Sequence, residues 1–153
     1  MLIALTVMTG IMAGIYAAFS LFVMRSLAKL DAINAGEAMV AINQTIVKTL
    51  FVPLFFGSVL LYAYALVDAL VYSKPQATLL AFAAVIYLLG MFVVTLKGNV
   101  PMNNRLQVLA PNHHQLREYW PQYAQQWSRL NHIRTVSSAL ATTLLCNVMY
   151  LAQ

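Results

Sequence analysis

The chain is 153 residues long, 61% hydrophobic and only 8% charged, with nine Lys and Arg against four Asp and Glu and a formal net charge of +5. A soluble domain carries about 45–50% apolar and about 25% charged residues, so this composition excludes a water-soluble globule and points to an integral membrane protein. The cations are spread along the chain and form no stripe, which argues against nucleic acid as a partner, and the single cysteine, Cys146, excludes an internal disulfide and a cysteine-based metal site.

Residues 1–24, MLIALTVMTGIMAGIYAAFSLFVM, are uncharged, and the first cation is Arg25. A secretory signal would open on a basic region and have a shorter apolar run. Residues 2–24 therefore read as a retained transmembrane helix with its N-terminus outside. Thr6, Gly10, Gly14 and Ala18 recur every four residues in it. Such a stripe lets another helix approach closely, either inside a bundle or as a homo-oligomer contact through the Gly10/Gly14 face. Next, Asn34 and Glu37 have capping-box spacing, and Met39, Ile42, Ile46 and Leu50 follow at helical intervals. This predicts a helix over the connection 35–49 that runs into the second apolar segment, 50–72, with a bend near Pro53. The turn SKPQ leads to a third segment, 77–97; Asp68, before the turn, reads as solvated or paired with Lys74. Gly98 offers a C-cap, Pro101 stops the third helix, and Asn103 or Asn104 caps a short successor. Pro121 fits the first turn of a helix that is amphipathic over 120–130 and continues into a fourth apolar segment, 131–151.

Each apolar segment has about the 20 residues needed to cross roughly 30 Å of hydrocarbon. The expected fold is all-α, a single transmembrane domain built as a four-helix bundle with helical cytoplasmic extensions. Arg25, Lys29 and Lys48 lie in the first connection, and Lys97, Arg105, Arg117 and Arg129 in the third. The positive-inside bias puts these connections in the cytoplasm and both termini outside, most simply in a bacterial inner membrane.

Trp120, Tyr123, Trp127, Asn131 and Arg134 are spaced by three or four residues and form one stripe on a helix, aromatic below and polar above. Arg134 stands about one turn inside the fourth apolar segment, where a guanidinium must snorkel or face the bundle interior. The stretch GNVPMNNRL, residues 98–106, adds Asn99, Asn103, Asn104 and Arg105 at the same membrane face, and Asn43 joins them from the first connection. The amides either lock the helix ends together by mutual hydrogen bonding or bind a ligand rich in oxygen. His113, His114 and His132 show no metal motif, although His114 and Glu118 have ligand spacing; no metal or haem is expected. His132, beside Asn131 and Arg134, reads either as an idle interfacial histidine or as a general base.

At these residues the chain resembles the anthrone oxygenase-like family of small four-helix membrane proteins. GNVPMNNRL, WPQYAQQWSRLNHIRT, AGIYAAFSLFVMRSL and AMVAINQTIV fall in one register over nearly the whole length. The resemblance implies a monooxygenase-type oxidation of an anthrone to an anthraquinone by dioxygen, with no cofactor. It assigns motif positions to Asn99, Pro101, Asn103, Trp120, Trp127, Asn131 and Arg134. Trp120, Tyr123 and Trp127 would then wall a flat slot. His132 would take a proton, and Arg134 with the amides would hold an oxyanion. The competing class is a non-catalytic membrane protein, or a binder of a quinone-like small molecule, whose Asn/Arg cluster is a structural lock. A lock satisfies each amide with another; a site leaves donors facing a cavity.

Overall fold

The computed structural model describes residues 1–73 and 75–151. Among these the chain forms five helices and no strand: α1 Leu2–Leu27, α2 Ala32–Ile46, α3 Phe51–Val71, α4 Ala77–Leu109 and α5 His113–Leu151. The helices α1, α3 and α4 are long and apolar enough to cross a membrane. The helix α5 falls outside that set, because Ser137, Ser138, Thr142, Thr143 and Asn147 dilute its apolar half. It is nevertheless the central element and packs along α1, α2 and α4.

Four local features differ from the sequence expectation, each for a physical reason. The cap of α2 is Asp31, not Asn34. Its carboxylate accepts the N–H groups of Ile33 at 3.1 Å and Asn34 at 3.2 Å, and the Asn34 side chain donates to it as well. Those bonds, the Asn34 N–H foremost, hold the Asp31 carboxyl below its usual range. Second, α2 does not run into α3. The Lys48 and Thr49 N–H groups close tight bonds to Thr45 and Ile46, and the Thr49 hydroxyl then accepts the Phe51 N–H at 3.2 Å. The helix is restarted there, so Pro53 falls in a first turn, where its missing N–H costs nothing.

Third, α4 passes straight through Gly98 and Pro101, so Asn103 and Asn104 lie on a helix and cap nothing. Pro101 cannot donate to the Lys97 carbonyl, and its ring crowds that oxygen. The helix absorbs this by widening to π geometry over Thr95–Asn99. A second wide turn, Leu88–Val93, contains Gly90, where a Cβ would collide with Ser137 of α5; glycine there lets α4 and α5 approach closely. Fourth, α5 begins at His113, with Asn112 accepting the Gln115 N–H at 3.2 Å, and Pro121 is inside it. Burial of Leu116, Tyr119, Trp120 and Tyr123 on both sides of the proline holds the helix together there.

Two cores result. One, around Tyr16, Tyr62, Tyr87 and Leu145, fills the membrane half between α1, α3, α4 and α5. The other, around Met39, Leu106, Leu116, Trp120, Tyr123 and Trp127, joins α2 to the ends of α4 and α5. On the small-residue stripe, Thr6 contacts Met149 and Gly10 faces Thr142, both on α5, whereas Gly14 is exposed with open space over it. The expected pairing of Asp68 with Lys74 involves a residue outside the described ones.

Candidate functional site

The stripe on α5 exists as spaced: Trp120, Tyr123, Trp127, Asn131 and Arg134 are all buried. The rings stack in succession, Trp120 on Tyr123 at 5.6 Å and Tyr123 near Trp127 at 6.5 Å between centroids. Above them the Arg134 guanidinium lies 5.0 Å from the centre of a Trp127 ring and 4.5 Å from that of Tyr16. Helices α2 and α4 bring in the amides.

Hydrogen-bond directions among these amides follow from donor arithmetic. The Trp127 indole N–H can only donate, and it reaches Asn103 Oδ1 at 2.9 Å. The Tyr123 hydroxyl donates to the same oxygen at 2.8 Å. Asn103 must therefore present its NH₂ to Asn43, whose Oδ1 accepts at 3.2 Å. Asn99 Nδ2 donates to the Trp127 carbonyl at 3.3 Å, so its oxygen points away from that contact. Asn131 Nδ2 donates to the Tyr16 carbonyl and to Ser20 Oγ, each at 2.8 Å, and its oxygen takes Arg134 Nη2 at 2.8 Å. Burial pushes the Tyr123 hydroxyl above its ordinary pKa and keeps it a neutral donor.

Arg134, Asn99, Asn103, Asn43, Thr95 and Tyr16 line one cavity together with Trp127, Phe19, Phe51, Ile15, Ile46, Val47 and Val100. Its volume is about 100 Å³, below the range of about 300–1,000 Å³ usual for small-molecule sites, so its walls must part to admit a ligand of several rings. Next to it lies an open polar vestibule lined by Gln44, Lys48, Asn104 and Gln107, sharing Asn43, Val47, Val100 and Asn103 with the cavity. Among the described residues, five buried side-chain atoms lack a hydrogen-bond partner. Four belong to this cavity: Tyr16 Oη, Asn43 Nδ2, Asn99 Oδ1 and Arg134 Nε. The fifth is Ser138 Oγ. Arg134 is 5% exposed and has no carboxylate near it among the described residues. Asp31 caps α2, Glu37 faces His113 at 3.2 Å, Glu118 faces His114 at 3.7 Å, and Asp68 lines a pocket with Met1 and Val148 far from Arg134.

Several expected members lie elsewhere. Asn104 is exposed in the vestibule, and Arg105 lies over the Tyr119 ring at 4.5 Å, outside the cavity. Trp120 and Tyr123 support Trp127 from below and do not line the cavity wall. His132 is exposed on the outer side of α5, with Nδ1 2.9 Å from Ser20 Oγ, and does not reach the cavity. Tyr16, Ser20, Thr95, Phe19 and Phe51 were not singled out by the sequence. The available signal was polarity inside apolar runs: Tyr16 and Ser20 in α1, Thr95 in α4. No group of three or more His, Cys, Asp or Glu among the described residues is arranged to hold a metal ion.

A family model described as anthrone oxygenase matches residues 39–144. No curated protein and no solved structure matches the chain. The matched span includes Asn43, Asn99, Asn103, Trp127, Asn131 and Arg134 and leaves out all of α1.

Proposed function

The chain belongs to the anthrone oxygenase family, and on that premise we propose that it is a membrane-embedded oxygenase that oxidises a flat aromatic ketone of the anthrone type in the Arg134 cavity. The observation that supports this reading most is a buried guanidinium without a carboxylate, its Nε unpartnered, beside an apolar slot. A buried charge is costly unless something compensates it. An anionic oxygen on the ligand would do so.

The chemistry then follows from the ligand. Loss of a methylene proton converts an anthrone to its phenolate-like anion. Arg134, with the Tyr16 hydroxyl and Asn43 Nδ2, holds the negative oxygen. The anion passes one electron to dioxygen, and the resulting radical and superoxide join in a C–O bond. The peroxide takes up a proton. Loss of the remaining C–H proton and cleavage of the O–O bond expel hydroxide and leave a carbonyl. The balance is anthrone plus O₂ to anthraquinone plus water, with all electrons drawn from the substrate, so these steps call for no flavin or metal. The first proton leaves to solvent through the vestibule side; His132, exposed behind α5, is not used as the base. The lock reading retains a partial basis, because Asn103 bonds Tyr123, Trp127 and Asn43.

An oxygen electrode with anthrone and protein in mild detergent tests this reading. The expected result is O₂ uptake equal to the anthrone consumed, with anthraquinone formed. A rate no faster than the buffer blank would sink it. We also place both termini outside and the Asn/Arg end in the cytoplasm. In a Cys146→Ser background, an impermeant maleimide should label Ser73→Cys but not Gln107→Cys in intact cells; the opposite pattern inverts the topology.

A further inference from the structure

Behind the cavity, on the outer side of α1 and α5, one hydroxyl ties three side chains together. Ser20 lies in a wide π turn of α1, Phe19–Val23, outside the span matched by the family model. Its Oγ meets Asn131 Nδ2 at 2.8 Å, His132 Nδ1 at 2.9 Å and Thr135 Oγ1 at 3.0 Å. Asn131 Nδ2 can only donate. The single Thr135 proton goes to the Asn131 carbonyl at 2.9 Å, which leaves the Thr135 oxygen as an acceptor. Ser20 therefore accepts from Asn131 and has its own proton for Thr135 or His132.

Both Nδ2 protons of Asn131 are thereby used, one on Ser20 and one on the Tyr16 carbonyl at 2.8 Å. Two fixed donors define the plane of the amide, and so the direction of Oδ1. That oxygen accepts Arg134 Nη2 at 2.8 Å. The other anchors of the guanidinium direct it less: Thr95 Oγ1 is 3.5 Å from Nη1, and the Tyr16 and Trp127 rings present their faces to it. We propose that Ser20 is a positioning residue for the cavity: it fixes Asn131, which aims the Arg134 guanidinium, and His132 supports it from outside. The inference takes the Arg134 cavity as the reaction site, as proposed above.

The test separates the two ideas by reading Arg134 directly. Protein labelled with ¹⁵N-arginine is compared by NMR in detergent as wild type, Ser20→Ala, Ser20→Cys and Ser20→Thr. The Arg134 Nε–H signal, shifted by the two rings, should move in Ser20→Ala and Ser20→Cys and return in Ser20→Thr. With anthrone as the probe, kcat should fall about ten-fold in the first two, the loss of one ordinary hydrogen bond, with KM nearly unchanged, and Ser20→Thr should recover most of it. An unmoved Arg134 signal in Ser20→Ala overturns the proposal, as does a threonine variant no better than alanine. Failure of both Ser20→Ala and Ser20→Cys to fold also overturns it, since Ser20 would then be holding the helices and not the guanidinium. If wild-type protein leaves anthrone untouched while the signal still answers to Ser20, the positioning role stands and the oxygenase reading falls.

Discussion

The two halves of this molecule differ in how they treat most of their buried polar groups, Ser138 Oγ being the one unpartnered atom of the membrane half among the described residues. In the membrane half, Ser58 gives its proton to the Phe55 carbonyl at 2.9 Å and meets the Tyr87 hydroxyl at 2.8 Å. Thr9 bonds the Leu5 carbonyl at 2.8 Å and lies 3.5 Å from the Tyr62 hydroxyl, and the Tyr62 and Tyr87 rings pack 4.9 Å apart. Each of these hydroxyls has a neighbour, and the surroundings are filled with side chains. Toward the other end, Asn103 bonds its neighbours in the same manner, yet Asn43, Asn99 and Arg134, with Tyr16 at the border of the membrane core, each keep an unpartnered atom at a shared cavity. Polarity that only joins helices closes on itself. Polarity left open at a cavity is costly to the fold, and that cost makes sense if a ligand completes it.

The sharpest way to break the comparison is at Arg134. Lysine keeps the charge but not the planar five-donor fork. Arg134→Lys should cut anthrone turnover by about 10²–10³, or about 2.7–4 kcal/mol of transition-state stabilisation, while the melting temperature in detergent stays near wild type. Full turnover would remove Arg134 from the site, and a protein that cannot fold would class it with the closed network. Asn103 should behave in the reverse sense. Asn103→Leu strands the Tyr123 hydroxyl, the Trp127 N–H and the Asn43 carbonyl oxygen, and should lower stability by about 2–3 kcal/mol, read as a fall in melting temperature. A variant as stable as wild type would show that this amide is not part of a lock.

Smaller effects sharpen the contrast. Tyr87→Phe removes one neutral hydrogen bond and leaves Ser58 bonded to Phe55, so it should cost about 1 kcal/mol and leave anthrone turnover unchanged. A ten-fold loss of turnover would mean the halves are coupled. The smallest effect is in alkaline unfolding. Burial raises the Tyr123 pKa in the folded state, so above the ordinary tyrosine value of about 10 the unfolded chain loses a proton that the folded one keeps. The Tyr123 contribution is thus present below that value and lost as pH rises. The stability profile of Tyr123→Phe should therefore fall less steeply than wild type above about pH 10; parallel profiles would contradict the burial.

The sequence carried the all-helical membrane architecture because apolar runs and helical spacing survive any tertiary arrangement. It also carried the α5 stripe, since three- and four-residue intervals fix a face whatever lies opposite. Joints were harder. Pro53, Pro101 and Pro121 each looked like a boundary or bend, yet one occupies a first turn, one is absorbed by widening, and one is carried by the packing around it. The side of α5 taken by His132 was also hidden. It follows Asn131 directly and looked like a member of the site, but a one-residue step turns a helix by about 100° and sends it outward. Ser20 and Thr95 were not singled out because a lone Ser or Thr hydroxyl in an apolar helix usually bonds its own backbone, and Tyr16 because a tyrosine in an apolar run reads as core. Which ones turn to a neighbour depends on contacts that no local pattern encodes.

The wide turns at Phe19–Val23 and Thr95–Asn99 have a consequence for insertions and deletions. A π turn takes up one residue more than an α turn over the same stretch of axis. Removing a residue from Phe19–Val23 can therefore restore a regular α-helix with little change in length and with Tyr16 still facing α5, whereas a deletion in the regular turns before it would rotate every earlier residue by about 100°. After a deletion in the wide turn the span would still cross the membrane and Tyr16 would stay over Arg134, and the change would fall on Ser20 and its neighbours. In this helix the wide turn is a one-residue slack between the membrane register and the cavity register, so a length change there can spare both.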